Sequence, residues 1–454
     1  MIQWHPAVSP LERKPKAAVK IQAAPPVILS GCFLLLILSG AILLKLPFAT
    51  TAPISWLQSL FTATSAVTVT GLVVVDTGST FTLFGQIIIA LLIQLGGLGI
   101  MTFAVVTLIA LGGKIGFLQQ HIAKEAFNQT DTSMLVTTAK SVLIFAFTAE
   151  TIGMLILALH WQPELGWTTA LFHGFFYTIS AFNNAGFALH PDSLMPYVDD
   201  PVVNLTITGL FITGGLGFTV WMDLWRQRRW QRLSLYSRIM IGGTVFINLF
   251  ALLAIYRIEL DNSATLAPLS ESGKWLAAWF QAVTPRTAGF NTLPIDQLED
   301  ATTVLMLLLM FIGGGSLSTA SGIKVVTFVV LLVATVQFLK RQDAINLCQR
   351  QIQPRTVQKA LALTLISCAA VWLSIFLLTL TEDAPFLDVV FEAVSALGTV
   401  GLSRGLTGAL SPEGECIIIF MMFAGRLGPL TLAYLLASPK TTHLRYPATP
   451  LTIG

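Results

Sequence analysis

Thr68-Val69-Thr70-Gly71-Leu72, Asn183-Asn184-Ala185-Gly186-Phe187, Arg286-Thr287-Ala288-Gly289-Phe290 and Gly398-Thr399-Val400-Gly401-Leu402 share one register. An aromatic stands ten residues before each glycine (Phe61, Phe176, Trp279, Phe391), and Ser65, Ser180, Val283 and Ser395 stand six before it. Between 24 and 28 residues after each glycine comes a second glycine-containing patch: Gly96-Gly97-Leu98-Gly99, Gly214-Gly215-Leu216-Gly217, Gly313-Gly314-Gly315 and Gly425-Arg426-Leu427-Gly428. One such match is commonplace; four at matched offsets make an internal repeat.

The chain around these stretches is 54% hydrophobic and only 11% charged. A water-facing domain carries about 25% charged residues, so this chain is built to face lipid. A helix crosses a bilayer with about 20 apolar residues. On that measure eight spans are expected, near 27–46, 83–111, 138–159, 202–223, 238–257, 302–339 with an internal break, 358–380 and 414–437. The first is no removable leader, because Leu44-Lys45-Leu46-Pro47 offers no small-residue cleavage site and the run is too long. Each glycine stretch falls between an odd and an even span, in a semi-polar segment too short to cross. Such backbone at membrane depth is tolerated only inside protein or beside a water-filled cavity.

Lysine and arginine set the orientation. Arg13, Lys14, Lys16, Lys20, Arg226, Arg228, Arg229, Arg232, Arg238, Lys340, Arg341 and Arg355 fall on the side of the N-terminus, whereas Lys45, Arg257, Lys274 and Arg404 are alone on the other. Both termini are therefore expected in the cytoplasm. The outer loops are acidic (Asp76, Asp192, Asp199, Asp200, Asp261), which is what topology alone allows and what a cation-attracting mouth requires. Cys32, Cys348, Cys368 and Cys416 have no paired spacing, so neither disulfide nor zinc site is indicated, and they read as small buried or interfacial thiols.

The fold class is thus an all-α polytopic membrane protein, eight transmembrane helices arranged as four pseudo-fourfold units around a central pore. Each unit is an outer helix, a short helix descending partway, an extended glycine segment and an inner helix. Four such segments can present rings of backbone carbonyls that replace the hydration shell of a potassium ion. Glycine suits a backbone whose carbonyls must point inward. Helix C-termini aimed at the cavity favour a cation further.

These motifs, in order over residues 27–440, resemble the Trk/Ktr/HKT superfamily of potassium transporters, most closely its Ktr-type membrane subunit. The resemblance implies a one-glycine-per-unit selectivity filter formed by Thr68–Gly71, Asn183–Gly186, Arg286–Gly289 and Gly398–Gly401. It also favours Ktr over Trk, since Trk-type relatives usually carry two further spans before the first repeat. The implied organisation is a basic tail (1–26), repeats at 27–111, 138–223, 238–340 and 358–438, and a tail at 439–454. In plant relatives a serine replacing the first filter glycine accompanies sodium transport, so Gly71 argues for potassium.

In the sixth span, Gly313-Gly314-Gly315-Ser316-Leu317-Ser318-Thr319-Ala320-Ser321-Gly322-Ile323-Lys324 cannot be a comfortable lipid-facing helix. It resembles the family's intramembrane gating loop, the alternative being a structural kink confined to this third repeat. Its glycine spacing is wrong for a phosphate-binding loop. Arg426, by resemblance, projects into the pore near that loop; the plainer reading is a side chain capping backbone carbonyls. Lys324 is similar but lies closer to the cytoplasmic end, where snorkelling suffices. Glu150 and Glu392 are the acids placed within the membrane, lining the pore or pairing with an arginine such as Arg286. Arg286 itself is expected to point behind the filter into a hydrogen-bond network, and His173 to be structural.

The resemblance implies potassium as the transported ion, sodium as an activating ion, no bound cofactor, a homodimer in a bacterial inner membrane, and a cytoplasmic ring of nucleotide-binding regulatory subunits. That ring would dock on loops 224–238 and 339–359 and on the C-terminal tail, although basic loops suit anionic lipid equally. Nothing points to nucleic acid. A secondary transporter with inverted repeats fits less well, because these repeats are parallel. No nucleophile–base or HExxH constellation suggests an enzyme.

Overall fold

Apolar runs free of internal proline become the long helices, and their ends are marked by capping residues. In the computed structural model, which describes residues 25–110, 132–315, 318–342 and 344–428, one order of elements recurs four times. The first unit comprises an outer helix Pro25–Leu44, a short helix Trp56–Thr68, the Gly71 loop and an inner helix Leu83–Ala110. In the second, Thr132–Phe182 holds both outer and short helices, separated at Gly166 (φ 73°, ψ 162°) just after Pro163, and the inner helix is Pro201–Leu216 continued by Phe218–Gln227. The third has Leu235–Glu259, Glu271–Val283, Asp300–Phe311 and, after a loop, Val325–Leu339. The fourth has Pro354–Thr381, Phe386–Gly398 and Pro412–Leu427. A two-stranded antiparallel ribbon, Asn346–Leu347 with Arg350–Gln351, is the departure from an all-helical chain. The tails 1–24 and 429–454, the segment 111–131 and the loop residues Ser316 and Leu317 lie outside the described residues.

Cap chemistry explains several starts. Ser55 and Gln58 form a reciprocal capping box on the first short helix, and Ser270 caps the third by accepting from the Gly273 amide. Asp200-Pro201 and Ser411-Pro412 open inner helices with a side-chain acceptor followed by the residue whose missing N–H costs nothing there.

The outer helices turn their apolar side chains outward. Leu35 is 66% exposed, Phe246 71% and Leu380 69%. Large apolar residues over whole helix faces are stable only against lipid or another protein. The short helices are the reverse: semi-polar, and buried over their C-terminal halves. Ser59 donates to the Ala41 carbonyl at 2.6 Å, while Thr62, Thr64 and Thr68 each donate to the carbonyl four residues earlier at 2.7–2.9 Å. In this first short helix those hydroxyls are satisfied internally, so their burial carries little penalty, whereas the Thr178, Ser180 and Ser395 hydroxyls of the second and fourth are buried without a partner.

By length and composition, three described helices can each cross a membrane unaided (Lys140–Phe182, Leu235–Glu259 and Pro354–Thr381), and the pair Pro201–Leu216 and Phe218–Gln227, bent by 90°, makes a fourth. The other apolar stretches among the described residues are shorter: Ser30–Leu44, Leu83–Gly99, Asp300–Phe311 and Val325–Leu339. The sequence reading confined a break to the third unit; among the described residues the first and second units are broken too. Gly99 (φ 49°, ψ −134°), Gly217 (φ 91°, ψ 140°) and Gly428 (φ 86°, ψ 134°) interrupt or end the inner helices of units one, two and four. What distinguishes the third unit is a loop inserted at the break.

The first glycine of each second patch has a different task. A β-carbon on Gly96 would stand 1.9 Å from the Val67 carbonyl oxygen, on Gly214 2.0 Å from that of Phe182, and on Gly425 2.1 Å from that of Leu397. In units one, two and four the inner helix therefore lies directly on the last turn of its own unit's short helix, whereas Gly313 of the third meets the Ser321 carbonyl of its own loop. Because backbone cannot yield as a side chain can, Gly425→Ala should destabilise the fold by about 1–3 kcal/mol. Gly209→Ala, on an open helix face with nothing within 4 Å, should be neutral or slightly stabilising. Thermal unfolding of the two variants in detergent checks both.

Candidate functional site

The short helices end where the quoted stretches begin, and three end alike. The amides of Thr70, Ala185 and Val400 turn back to the carbonyls of Ser65, Ser180 and Ser395 at 2.7–2.9 Å. In the third unit, where Val283 replaces the serine, Ala288 instead bonds the Thr284 carbonyl at 3.0 Å. After these caps the backbone alternates. Val69, Asn184, Thr287 and Thr399 have φ of 57°, 60°, 69° and 48°, and the glycines two residues on, Gly71, Gly186, Gly289 and Gly401, have φ of 95°, 68°, 80° and 90°. The residues between them, Thr70, Ala185, Ala288 and Val400, stay on the ordinary side. Alternation in the sign of φ turns successive peptide planes the same way, so the carbonyls of each segment gather on one side. Holding β-branched Val69, Thr287 and Thr399 left-handed costs on the order of 1–3 kcal/mol each, a strain that clusters at functional sites.

The four segments meet. A β-carbon on Gly71 would stand 2.4 Å from the Ala185 oxygen, on Gly186 2.8 Å from the Gly289 Cα, on Gly289 2.5 Å from the Val400 oxygen, and on Gly401 2.1 Å from the Thr70 oxygen. The contacts run one to two, two to three, three to four and four to one, which closes a ring in chain order. Side chains are excluded from it by contact distance alone. Four short-helix C-termini, with their partial negative charge, converge on this ring.

A cavity of about 240 Å³ opens beyond the ring, lined by all four glycines together with Asp76, His190, Asn291, Ser403 and Thr407. A second, of about 270 Å³, is lined by residues preceding the ring or on the broken inner helices, among them Phe182, Gly97, Gly214, Thr319, Lys324 and Arg426.

The loop that interrupts the third inner helix closes part of this second cavity. Ile312 and Ile323 pair in parallel, and the Gly313 amide bonds the Ile323 carbonyl at 2.8 Å while that of Val325 reaches Gly314. Gly315 bonds the Gly215 carbonyl at 2.8 Å, and the Ser318 hydroxyl folds back to Gly315 at 2.7 Å. Thr319 donates its hydroxyl to Asn184 Oδ1 at 2.7 Å, joining this loop to the second glycine segment. Gly322 takes φ 68° before the chain re-enters a helix. Lys324, for which snorkelling was the plainer alternative, turns inward to the Ala320 carbonyl at 2.7 Å and lines the cavity. Arg426 bonds the Thr319 carbonyl at 2.5 Å on one side and the carbonyls of Gly96 and Gly97 at 2.5 and 3.1 Å on the other. It therefore caps carbonyls and faces the cavity at once, clasping the loop to the first inner helix.

Behind the ring each unit is wired differently. In the first, Thr68 and Thr70 hydroxyls bond at 2.7 Å. In the second, Gln94 donates to both Glu150 oxygens at 2.9 and 3.0 Å and accepts from Asn183 at 2.7 Å. In the third, Arg286 turns away from the ring to Asn248 at 3.1 Å and Thr244 at 3.3 Å. In the fourth, Glu392 accepts from Ser403 at 2.8 Å and from Thr407. Neither buried acid pairs with Arg286, against the pairing the sequence suggested; amides and hydroxyls satisfy them instead. Among the described residues the ion pairs are His160–Asp200, Lys274–Glu271 and Arg404–Asp388. His173 packs with Trp161, Tyr177 and His190 in a ring cluster. No group of three or more potential metal ligands gathers among the described residues. Cys32 and Cys368 are half-buried and Cys348 and Cys416 exposed, so none of the four is a fully buried thiol. Sequence reasoning missed the Thr319–Asn184 link and the Gln94–Glu150–Asn183 triad. The doubled amide Asn183-Asn184, where other units carry threonine or arginine, was the available signal.

Residues 23–444 match the TrkH family, described as cation transport protein. The chain is 49% identical over 435 residues to Ktr system potassium uptake protein B of Bacillus subtilis (strain 168), covering 96% of this chain and 98% of that one. It is 45% identical to the protein of the same name from Vibrio alginolyticus, with 96% of each chain covered. To the potassium/sodium uptake protein NtpJ of Enterococcus hirae it is 33% identical over 97% of this chain and 99% of that one. The fold is similar to that in the crystal structure of the potassium transporter TrkH from Vibrio parahaemolyticus, with a TM-score of 0.74 at 21% identity, covering 92% of this chain and 86% of that one.

The clasp at Arg426 has a direct test. Arg426→Gln leaves the carbonyls of Thr319, Gly96 and Gly97 short of donors, each worth about 1 kcal/mol or more. Amide exchange across 318–325 should accelerate by roughly tenfold, read by hydrogen–deuterium exchange mass spectrometry, while the outer helix 235–259 stays protected.

Proposed function

The chain belongs to the TrkH family of cation transport proteins, and from that premise we propose that it is the membrane subunit of a potassium uptake system, passing potassium through the glycine ring as a selectivity filter. It is a transporter and not an enzyme. The observation that carries the reading is the closed ring itself: four segments, each with positive φ at the glycine and two residues before it, each excluding side chains. Carbonyls gathered on one side of each segment suit a dehydrated monovalent cation. Thr68–Gly71, Asn183–Gly186, Arg286–Gly289 and Gly398–Gly401 form the filter on this reading, in eight spans and four repeats (27–111, 138–223, 238–340 and 358–438). The cavity of about 240 Å³ beyond the glycines is then the outer vestibule.

The loop with Gly313, Gly314, Gly315, Ser318, Thr319, Gly322 and Lys324, together with Ser316 outside the described residues, is the gate. Its support is position: it borders the cavity of about 270 Å³ below the ring and is held by Arg426. Two cationic side chains there oppose a passing cation, so conduction requires them to move. Sodium acts as an activating ion; a relative is named a potassium/sodium uptake protein. Both termini are cytoplasmic and the membrane is the bacterial inner one, as the lysine and arginine distribution supports. A homodimer carrying a nucleotide-binding regulatory ring on 224–238, 339–359 and 439–454 completes the system; the name Ktr system is compatible with further subunits.

Uptake assays in bacterial cells lacking their own potassium uptake test this reading. The intact chain should restore growth at low potassium, and more strongly with sodium present. Gly289→Ser adds a side chain at φ 80° and should raise the potassium half-saturation concentration by about tenfold, given a strain of ~1–3 kcal/mol. Arg426→Ala, or removal of 313–324, should raise the rate. Absence of potassium uptake, with and without a regulatory subunit, would refute the substrate.

A further inference from the structure

The filter reading leaves open what holds the outer face of the ring, where each segment leaves its glycine and runs along the vestibule wall. The pore-facing backbone there has no regular secondary structure of its own, so its position depends on side chains reaching it from behind. One register position on the short helices, nine residues before the glycine, supplies those that reach farthest along the vestibule wall. It is occupied by Thr62, Tyr177, Phe280 and Glu392 in the four units.

Two of these reach the outgoing segment. Tyr177, wholly buried, accepts with its hydroxyl oxygen from the backbone amides of Leu189 at 3.1 Å and His190 at 3.2 Å. Glu392, equally buried, accepts the Ser403 hydroxyl at 2.8 Å on one oxygen and the Thr407 hydroxyl on the other. Ser403 Oγ in turn accepts from the amides of Gly405 at 3.1 Å and Thr407 at 3.4 Å, so the carboxylate is the root of the whole turn 403–407. His190, Ser403 and Thr407 are vestibule-lining residues. The other two positions do not reach. Thr62 donates to the Gln58 carbonyl in its own helix, and Phe280 has no polar atom to offer.

The other two units are held from different positions and lean on their neighbours: in unit one the Gly71 amide bonds Ser65 Oγ at 3.0 Å, and in unit three Thr284 donates its hydroxyl to the Phe290 carbonyl at 2.5 Å. In unit three, Asn291 exchanges bonds with unit two, its amide with Ser193 Oγ at 3.3 Å and its carbonyl with the Leu194 amide at 3.0 Å. From the other side Arg404 of unit four bonds the Ile295 and Asp296 carbonyls at 3.3 Å and Thr303 at 3.0 Å. Unit one rests on unit two, where a β-carbon on Gly78 would stand 1.9 Å from the Leu189 carbonyl oxygen. Because the ring closes in chain order, units two and four lie across from each other.

We propose that Tyr177 and Glu392 are a pair of positioning residues, placed on opposite sides of the ring, that fix the outermost carbonyls and thereby the discrimination between potassium and sodium. Neither side chain reaches the ring; both act through the segment each supports. Glu392 works here as a two-oxygen acceptor, and glutamine can keep both contacts by accepting from one hydroxyl and donating to the other. Alanine can keep neither. The inference rests on the filter reading, and the test separates the two.

The full-length chain and its variants are expressed in cells lacking potassium uptake, and the inhibition of potassium uptake by sodium is measured beside the half-saturation concentration and maximal rate. Size-exclusion profiles and melting in detergent verify that each variant is folded. Tyr177→Phe and Glu392→Ala should each weaken the preference for potassium over sodium by about three- to tenfold, the worth of one or two buried hydrogen bonds, with the maximal rate changed less. Glu392→Gln should restore the wild-type preference. Thr62→Val, at the same register but without a supported segment, should leave it unchanged. If wild type carries no potassium, the filter reading itself fails. If wild type is selective but folded Tyr177→Phe and Glu392→Ala are equally so, the positioning role fails. Glu392→Gln behaving like Glu392→Ala would replace geometry by charge and overturn it too, as would a shift for Thr62→Val as large as for Tyr177→Phe.

Discussion

Four backbones meeting without side chains is the contact on which the rest depends. A β-carbon at Gly71, Gly289 or Gly401 would lie within 2.5 Å of a neighbouring carbonyl oxygen, and at Gly186 within 2.8 Å of a neighbouring Cα. Backbone that close, away from bulk water, leaves carbonyls that no helix or sheet can satisfy. The surrounding architecture reads as the means of holding such groups in place: short helices that end on the ring, inner helices that lie on those ends, and outer helices that shield both from lipid.

The inner helices show how one residue type is used for two physical purposes. Gly96, Gly214 and Gly425 permit contact between backbones, whereas Gly99, Gly217 and Gly428, each three residues later, supply the positive φ that breaks the helix. The breaks in the first three units open space beneath the ring. The third unit fills part of that space with its loop, and Arg426 of the fourth unit ties that loop to the first. All four units thus contribute to one cavity, and the loop of a single unit touches it beside residues of the other three.

The register of the glycines and the apolar spans is legible in sequence because both are local demands: a left-handed φ selects glycine, and lipid selects about 20 apolar residues. The breaks were less legible. A glycine within a helical pattern costs only about 1 kcal/mol, so Gly99 and Gly217 look the same whether they pack or break. Least legible were the partners of the buried polar groups. Thr319 and Asn184 lie 135 positions apart, and Arg426 and Gly96 330 apart, so no spacing rule connects them. Arg286 illustrates the difference: its direction, away from a ring of carbonyls gathered beside three other segments, was legible from the sequence, but its partners Asn248 and Thr244 come from an outer helix whose rotation only packing determines.

Unequal support behind an almost uniform ring is the last physical consequence. The ring constrains only backbone and glycine, so the residues behind it are free to differ: paired hydroxyls in the first unit, an amide–carboxylate triad in the second, a guanidinium on neutral partners in the third, a carboxylate under a turn in the fourth. In a strictly symmetric ring every buried polar group would recur four times, and a buried charge would recur with it at several kcal/mol each. Fusing the four units into one chain removes that requirement. A carboxylate can stand behind one segment and a guanidinium behind another, each balanced by neutral hydrogen-bond partners. The same carbonyl ring is then reached with fewer buried charges and with a stiffness that differs from unit to unit.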